Sequence, residues 1–287
     1  MNKSIIAILA FAAALSVSKP CSMASCPVKT MGISKQGKEL PVHAWKGRRV
    51  AFIGDSITDP DNNASEFKYW DYLREWLGIE PFVYAVSGRE WNDVPNQAGQ
   101  LLEERGQDFD AIIILMGTND YNHGVPLGQW YTESAARVEA SIGEPKALVH
   151  RMRRNTCYTD STFRGRINIA MRDLKRRFPT KQVVVLTPLR RSCFHAGDRN
   201  WQPSEDYTNW AGEYLDAYVE AVKEVAEVWA VPVIDLGALS GLFPMEDSNT
   251  VYFADPEHDR LHPNDAGHKR LALTLYYQLQ ALPCSFE

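Results

Sequence analysis

Apolar residues from residue 48 onward follow two alternating rhythms, short unbroken runs and stretches at helical spacing. The runs are Arg49-Val50-Ala51-Phe52-Ile53, closed by Gly54, then Phe82 to Val86, Asp110 to Met116, Gln182 to Leu186 and Val233 to Leu236. Each is short enough to be a strand, and the third (DAIIILM) has no polar side to turn to water, so it must be buried on both faces. Between the runs the period lengthens. Tyr69, Leu73, Trp76 and Leu77 mark a helix over Phe67 to Leu77 with Gly78 as its stop, and a second helix covers Gln97 to Arg105. Phe163, Ile167, Met171, Leu174 and Phe178 line one face of another, with Asp160 or Ser161 as its cap. Asn209 to Trp229 and Asn264 to Leu282 complete the set, the last entered after Pro263. Strand–helix alternation of this kind predicts an α/β fold of three layers, a five-stranded parallel sheet covered on both faces. Residues 118 to 158 form too long a connection for a plain loop and are expected to be an insertion holding a helix over Thr132 to Ile142.

The N-terminus has a different pattern. Residues 5–17 (IIAILAFAAALSV) are apolar, preceded by Lys3 and followed by Pro20. A helix of that length rises about 20 Å, short of a bilayer core of roughly 30 Å. A charged start, a short apolar middle and a small-residue exit predict a signal peptide over residues 1–26. Met23-Ala24-Ser25-Cys26 resembles a relaxed bacterial lipobox, which would put a lipid on Cys26; cleavage after Ala24 is the alternative. The expected organisation is therefore signal, leader over 27–47 and one domain over 48–287. The expected location is exported: periplasmic, an outer-membrane lipoprotein or secreted, with membrane contact only through that lipid.

Composition narrows the picture further. A 45% hydrophobic, 23% charged chain is no disordered or low-complexity protein, and a net charge of −5 argues against a general nucleic-acid binder. Five cysteines without a C-x-x-C give neither a disulfide framework nor a structural zinc site. Residues 150–191 hold 12 Lys/Arg and two acids, a local excess most simply placed on a solvated helix face.

In an open parallel sheet, ligands bind beyond the carboxyl ends of the strands, so the residues just after each strand are the informative ones. They are Gly54-Asp55-Ser56-Ile57-Thr58-Asp59, Ser87-Gly88-Arg89 and Gly117-Thr118-Asn119-Asp120, with Asp259-Arg260-Leu261-His262-Pro263 before the last helix. These four blocks, in this order, resemble the SGNH (GDSL-type) hydrolases, over roughly residues 48–283. The one departure is Ile57 where the family name has Leu. The resemblance implies a flavodoxin-like SGNH hydrolase fold and a serine carboxylic ester hydrolase, in a family that spans carbohydrate acetylesterases, lipases, thioesterases and arylesterases.

Residue chemistry agrees with it. A serine hydroxyl needs a base within reach, itself oriented by a third group. Ser56 would attack an acyl carbon, His262 would take its proton, and Asp259 would hold the imidazole tautomer. The backbone N–H of Ser56, that of Gly88 and the side-chain amide of Asn119 are the candidate oxyanion donors. Taken singly, Ser56 is more often a helix cap, Asn119 is equally a turn residue, and Gly88 and His262 have plain readings as a positive-φ position and a solvated loop residue. Asp55 is expected to anchor its loop. The α/β-hydrolase elbow is excluded because Thr58 stands where it needs glycine. A metal reading of His258, Asp259, His262 and His268 lacks the glutamate of H-E-x-x-H, so no metal and no cofactor is expected.

Substrate identity is less legible. No extended apolar groove can be read, which points to a short acyl group such as acetate. Tyr121, Trp130 and Tyr131 in the insertion suggest aromatic faces for a glycan, and Arg89 lies beside the site. Arg151, Arg153, Arg154, Arg190 and Arg191 are candidates for a rim favouring anionic glycans. The resulting expectation is an exported esterase acting on an acylated glycan. A lipase or lysophospholipase and a glycan-binding protein without turnover are the alternatives.

Overall fold

The computed structural model describes residues 43–282 and Phe286. The signal, most of the leader and Cys284 lie outside them. In chain order the elements are β1 (Arg49–Gly54), α1 (Tyr69–Leu77), β2 (Glu80–Val83), α2 (Val94–Arg105), β3 (Ala111–Leu115), α3 (Thr118–Asn122), β4 (Tyr131–Ala140) and β5 (Ala147–Thr156). There follow α4 (Phe163–Arg177), β6 (Gln182–Leu186), β7 (Phe194–Ala196), β8 (Asn200–Gln202), α5 (Leu215–Lys223) and α6 (Val225–Trp229). The chain ends with β9 (Val233–Ile234), α7 (Leu236–Leu239), β10 (Phe253–Asp255), β11 (Asp259–Pro263) and α8 (Asp265–Ala281).

Five parallel strands form the central sheet in the order β2-β1-β3-β6-β9, the predicted α/β architecture. Alternate residues serve opposite faces, as the pleat requires. Ala51, Ile53, Ile112, Ile114, Val183 and Val185 pack with residues of α2, α4 and α5; Val50, Phe52, Ile113, Leu115, Val184 and Leu186 pack with α1 and α8. That double burial is why the strands read as continuous apolar runs. From β1 the chain goes outward to β2 on one side and then crosses to β3 on the other. The order therefore reverses between β1 and β3, and a crevice opens at their carboxyl ends.

Three expectations are corrected. The insertion holds no helix at Thr132 to Ile142; β4 and β5 form an antiparallel hairpin of their own, in register from Tyr131↔Thr156 to Ala140↔Ala147. Ala135, Ala136 and Glu139 are good helix formers, but Gly143 (φ +72°) and Pro145 turn the chain back where a helix would have continued. The helix expected from Asn209 begins only at Leu215, because Asn209 is committed to a loop described below. The cap of α4 is Thr162, whose hydroxyl accepts from Gly165 N at 3.3 Å, not Asp160 or Ser161. A feature that periodicity did not reveal is a small antiparallel sheet, β10-β11-β7-β8, whose strands are too short to set a rhythm.

Candidate active site

β1 delivers the chain into a tight turn at the crevice. A side chain on Gly54 would stand 2.7 Å from Thr58 Oγ1 and 2.8 Å from Leu115 O, so only glycine lets the turn fold back on β3. Gln97 of α2 locks that glycine from both sides, accepting from Gly54 N at 3.0 Å and donating to its carbonyl at 2.9 Å. Asp55 anchors the turn as expected, with Oδ1 accepting from Ile57 N at 3.1 Å; complete burial raises its pKa to about 6. Ser56 is thereby held at the lip of the sheet.

β11 brings its partners in from the small sheet. His262 Nε2 lies 2.9 Å from Ser56 Oγ, and His262 Nδ1 lies 2.8 Å from Asp259 Oδ2. Asp259 is itself fixed, since its Oδ1 accepts from the backbone of Leu261 at 3.1 Å and of His262 at 2.9 Å. The ring of Phe194 in β7 meets the imidazole edge-to-face at 4.9 Å. Hydroxyl, imidazole and carboxylate thus form one hydrogen-bonded line across 206 residues of sequence. With the acid bound to Nδ1–H, Nε2 is left as the acceptor, the tautomer a general base needs.

Asn119 is tied to the loop that carries Gly88. Gly88 has φ +81° with open space before it, and Asn119 Nδ2 donates to Arg89 O at 3.0 Å, leaving its second N–H free to point elsewhere. Among the described residues the amides of Ser56 and Gly88 have no protein acceptor. Unpaired amides at a catalytic crevice are what an oxyanion would occupy.

Several supports carried no signal in the sequence reading. Asp59 holds the Gly88 loop, accepting from Ser87 N at 2.7 Å and Ser87 Oγ at 2.6 Å. On its other side Asp120 accepts from Trp91 N at 3.1 Å, and Arg166 bridges Asp120 and Glu90 at 2.9 Å each. Burial, reinforced by Glu90, pushes the Asp120 pKa upward. Arg191 is wholly buried beside the site; its Nη2 donates to Gln202 Oε1 at 2.7 Å and its Nη1 to Thr118 Oγ1 at 3.4 Å, while its Nε has no partner. Burial lowers its pKa to about 10. The D in the G-x-N-D block was the one legible hint of this framework.

A family model for the GDSL-like lipase/acylhydrolase family matches residues 52–270. The chain belongs to that family. It is a serine ester hydrolase. Among solved structures, this GDSL-like hydrolase is similar to a protein from Lactobacillus plantarum (22% identity, TM-score 0.63, covering 83% of this chain and 99% of that one). It is also similar to a possible lipase from Chitinophaga pinensis (19%, TM-score 0.59, 82% and 98%) and a catalytic mutant of an acetylxylan esterase from Geobacillus stearothermophilus (18%, TM-score 0.50, 83% and 96%). At these identities the likeness is one of fold. No curated protein matches the sequence.

The residues expected to bind substrate are scattered in this GDSL-like hydrolase. Arg89 is exposed and 3.4 Å from Asp93. Tyr121 is largely buried, its ring T-shaped against Tyr218 and its hydroxyl donating to Tyr207 O at 2.7 Å, with only an edge of it at the floor of a cleft lined by Trp201 and Trp210. Trp130 packs against the core, donates its indole N–H to Glu224 and lines a separate hollow with Arg154 and Arg164. The arginine rim is not assembled either. Arg151, Arg153 and Arg154 lie on β5, Arg190 is paired with Glu205 (2.8 Å) and Asp216 (2.7 Å), and Arg191 is buried. His268, once a metal candidate, is buried with Nδ1 accepting from Tyr69 N at 3.2 Å; burial lowers its pKa to about 3.

Proposed function

We propose that the protein is an exported esterase that removes short acyl groups, acetyl foremost, from carbohydrates through an acyl-enzyme on Ser56. The observation that carries it is the unbroken Ser56–His262–Asp259 line, 2.9 Å and 2.8 Å across its two bonds. In the first half-reaction Ser56 Oγ attacks the ester carbonyl while its proton passes to His262 Nε2. Asp259 stabilises the imidazolium that forms. The oxyanion gathers hydrogen bonds from the N–H groups of Ser56 and Gly88 and the free N–H of Asn119. Collapse breaks the ester bond, and the sugar hydroxyl leaves with the proton from Nε2. Water then repeats the sequence on the acyl-serine, releasing the carboxylate and restoring the hydroxyl.

Short acyl groups and carbohydrate alcohols are supported by the surface. Of two hollows on that surface, one is lined by amides, aromatic rings, a hydroxyl, Pro203 and Arg199, and the other by aromatic rings with Glu133, Glu224, Arg154 and Arg164; neither is an apolar trough. A long-chain lipid would need an apolar trough. The fold neighbour from Geobacillus stearothermophilus acts on acetylated xylan, in keeping with this reading. Export rests on residues 1–26, with Cys26 as a lipid attachment point. The decisive experiment measures hydrolysis of p-nitrophenyl acetate, butyrate and palmitate beside acetate release from O-acetylated polysaccharides. The proposal expects a steep fall with chain length together with release of acetate from a polysaccharide. A preference for palmitate overturns it.

A further inference from the structure

Tryptophan gains more from burial than any other side chain, yet Trp210 is 93% exposed and Trp201 66%. Both line one cleft of about 680 Å³, together with exposed Tyr207, and its floor is Tyr121, Asn122 and His123 at the end of α3. That volume is one a small ligand fills. No carboxylate and no aliphatic side chain lines it; the remaining groups are amides, a hydroxyl, Pro203 and Arg199. Flat rings interleaved with amides suit a pyranose. Its C–H faces lie on aromatic rings, and its equatorial hydroxyls seek neutral donors and acceptors.

The aromatics are exposed but not loose. Asn209 fastens their loop, donating to Tyr121 O at 2.9 Å and to Tyr218 Oη at 2.8 Å while accepting from Ala211 N at 2.9 Å and Glu213 N at 3.1 Å. Tyr121 Oη donates to Tyr207 O at 2.7 Å, and the Cβ of Trp210 sits against Gly124, which has no room for a side chain there. Trp201 has one face stacked on His195, ring centres 3.8 Å apart, and the other free. A pinned backbone under exposed rings is a preorganised surface, which lowers the entropic cost of binding.

The cleft is also coupled to the reacting centre. Its floor begins at Tyr121, two residues after Asn119 on the same short helix α3. Arg191 ties Gln202 in the cleft wall to Thr118, the neighbour of Asn119. We infer that this cleft is the glycan subsite of the enzyme, holding on Trp201 and Trp210 the pyranose rings of the chain whose acyl group is presented to Ser56. The inference rests on the carbohydrate-ester reading above.

The test uses the variants Trp201→Ala, Trp210→Ala and the pair together, with O-acetylated xylan, glucomannan and pectin as substrates beside p-nitrophenyl acetate. Fluorophosphonate labelling of Ser56 and the melting temperature establish that each variant is folded. On any polysaccharide that the wild type deacetylates, the ratio of kcat/KM for polysaccharide to that for p-nitrophenyl acetate should fall about tenfold or more in the double variant, mainly through KM. Trp201→Phe and Trp210→Phe, which keep a smaller ring, should lose less than the alanine variants. A ratio within twofold of wild type in the folded double variant overturns the subsite and leaves the esterase reading standing. Hydrolysis of p-nitrophenyl acetate with none of the three polysaccharides deacetylated overturns the carbohydrate reading, and the subsite with it.

Discussion

His262 is bonded on both ring nitrogens, to the Ser56 hydroxyl and to the Asp259 carboxylate, as the proposed mechanism requires. Asn119 is committed at only one of its two N–H groups. On the proposed mechanism, replacing it with alanine removes one of three oxyanion donors and should lower kcat by about 10²–10³ with little change in KM, as steady-state kinetics on p-nitrophenyl acetate would show. Asp55 has a different signature. Its folded-state pKa, near 6, stands above the ordinary value of 3.8. Between those values the folded chain keeps a proton that the unfolded chain has lost. Its contribution to stability is thus fullest below pH 4 and is lost as pH rises through 6. Asp55→Asn should gain on wild type in melting temperature from pH 4 to pH 7.5, by up to about 2–3 kcal/mol in stability; a constant difference across that range would contradict the account. Ser56, Gly88, Asn119, Asp259 and His262 were legible because each stands in a short block fixed by what its chemistry requires. Tyr121 and Trp130 are harder to read, because aromatic rings serve cores and binding faces equally: here both are packed against the core and each also borders a hollow.

At the scale of elements, the same physics decided what was read correctly and what was not. β3 was unmistakable because both its faces are covered. The β4–β5 hairpin was misread because almost none of it is buried, so no apolar period marks it. Its ends meet where Cys157 N donates to Trp130 O at 2.9 Å, and side-chain bonds such as Lys146–Glu139 and Asn155–Ser134 stay within it. Replacing Thr132 to Asn155 by a short Gly-Ser link should therefore leave the melting temperature within about 3 °C of wild type, roughly what 1 kcal/mol moves a domain of this size by. A drop of 10 °C would show that the hairpin supports the sheet. His268 pins α8 against α1 through Tyr69 N. Its folded-state pKa is lowered to about 3 from an ordinary 6.5. Below pH 6.5 the unfolded chain gains a proton that the folded chain refuses, so stability falls with pH from there. His268→Gln, which keeps an acceptor and cannot charge, should flatten the decline in melting temperature between pH 6.5 and 4.5.

Across the whole molecule, the site exists because two sheets of different construction converge. The parallel sheet sets Ser56 and Asn119 at the reversal between β1 and β3, and strand alternation alone foretold that crevice. The small antiparallel sheet that carries Asp259 and His262, and the loop carrying Trp210, left no periodic trace. Their geometry comes from pairing with distant segments, such as Asp259↔Phe194, and from Asn209 bonding across 88 residues to Tyr121. The claim on which everything turns is that Ser56 is the nucleophile and His262 the base that activates it. Mass spectrometry after reaction with a fluorophosphonate tests this most directly. One adduct on the peptide containing Ser56 in wild type, strongly slowed in His262→Ala and absent in Ser56→Ala with hydrolysis lost, is the predicted result. An adduct on another residue, or ester hydrolysis that survives in Ser56→Ala, would contradict it.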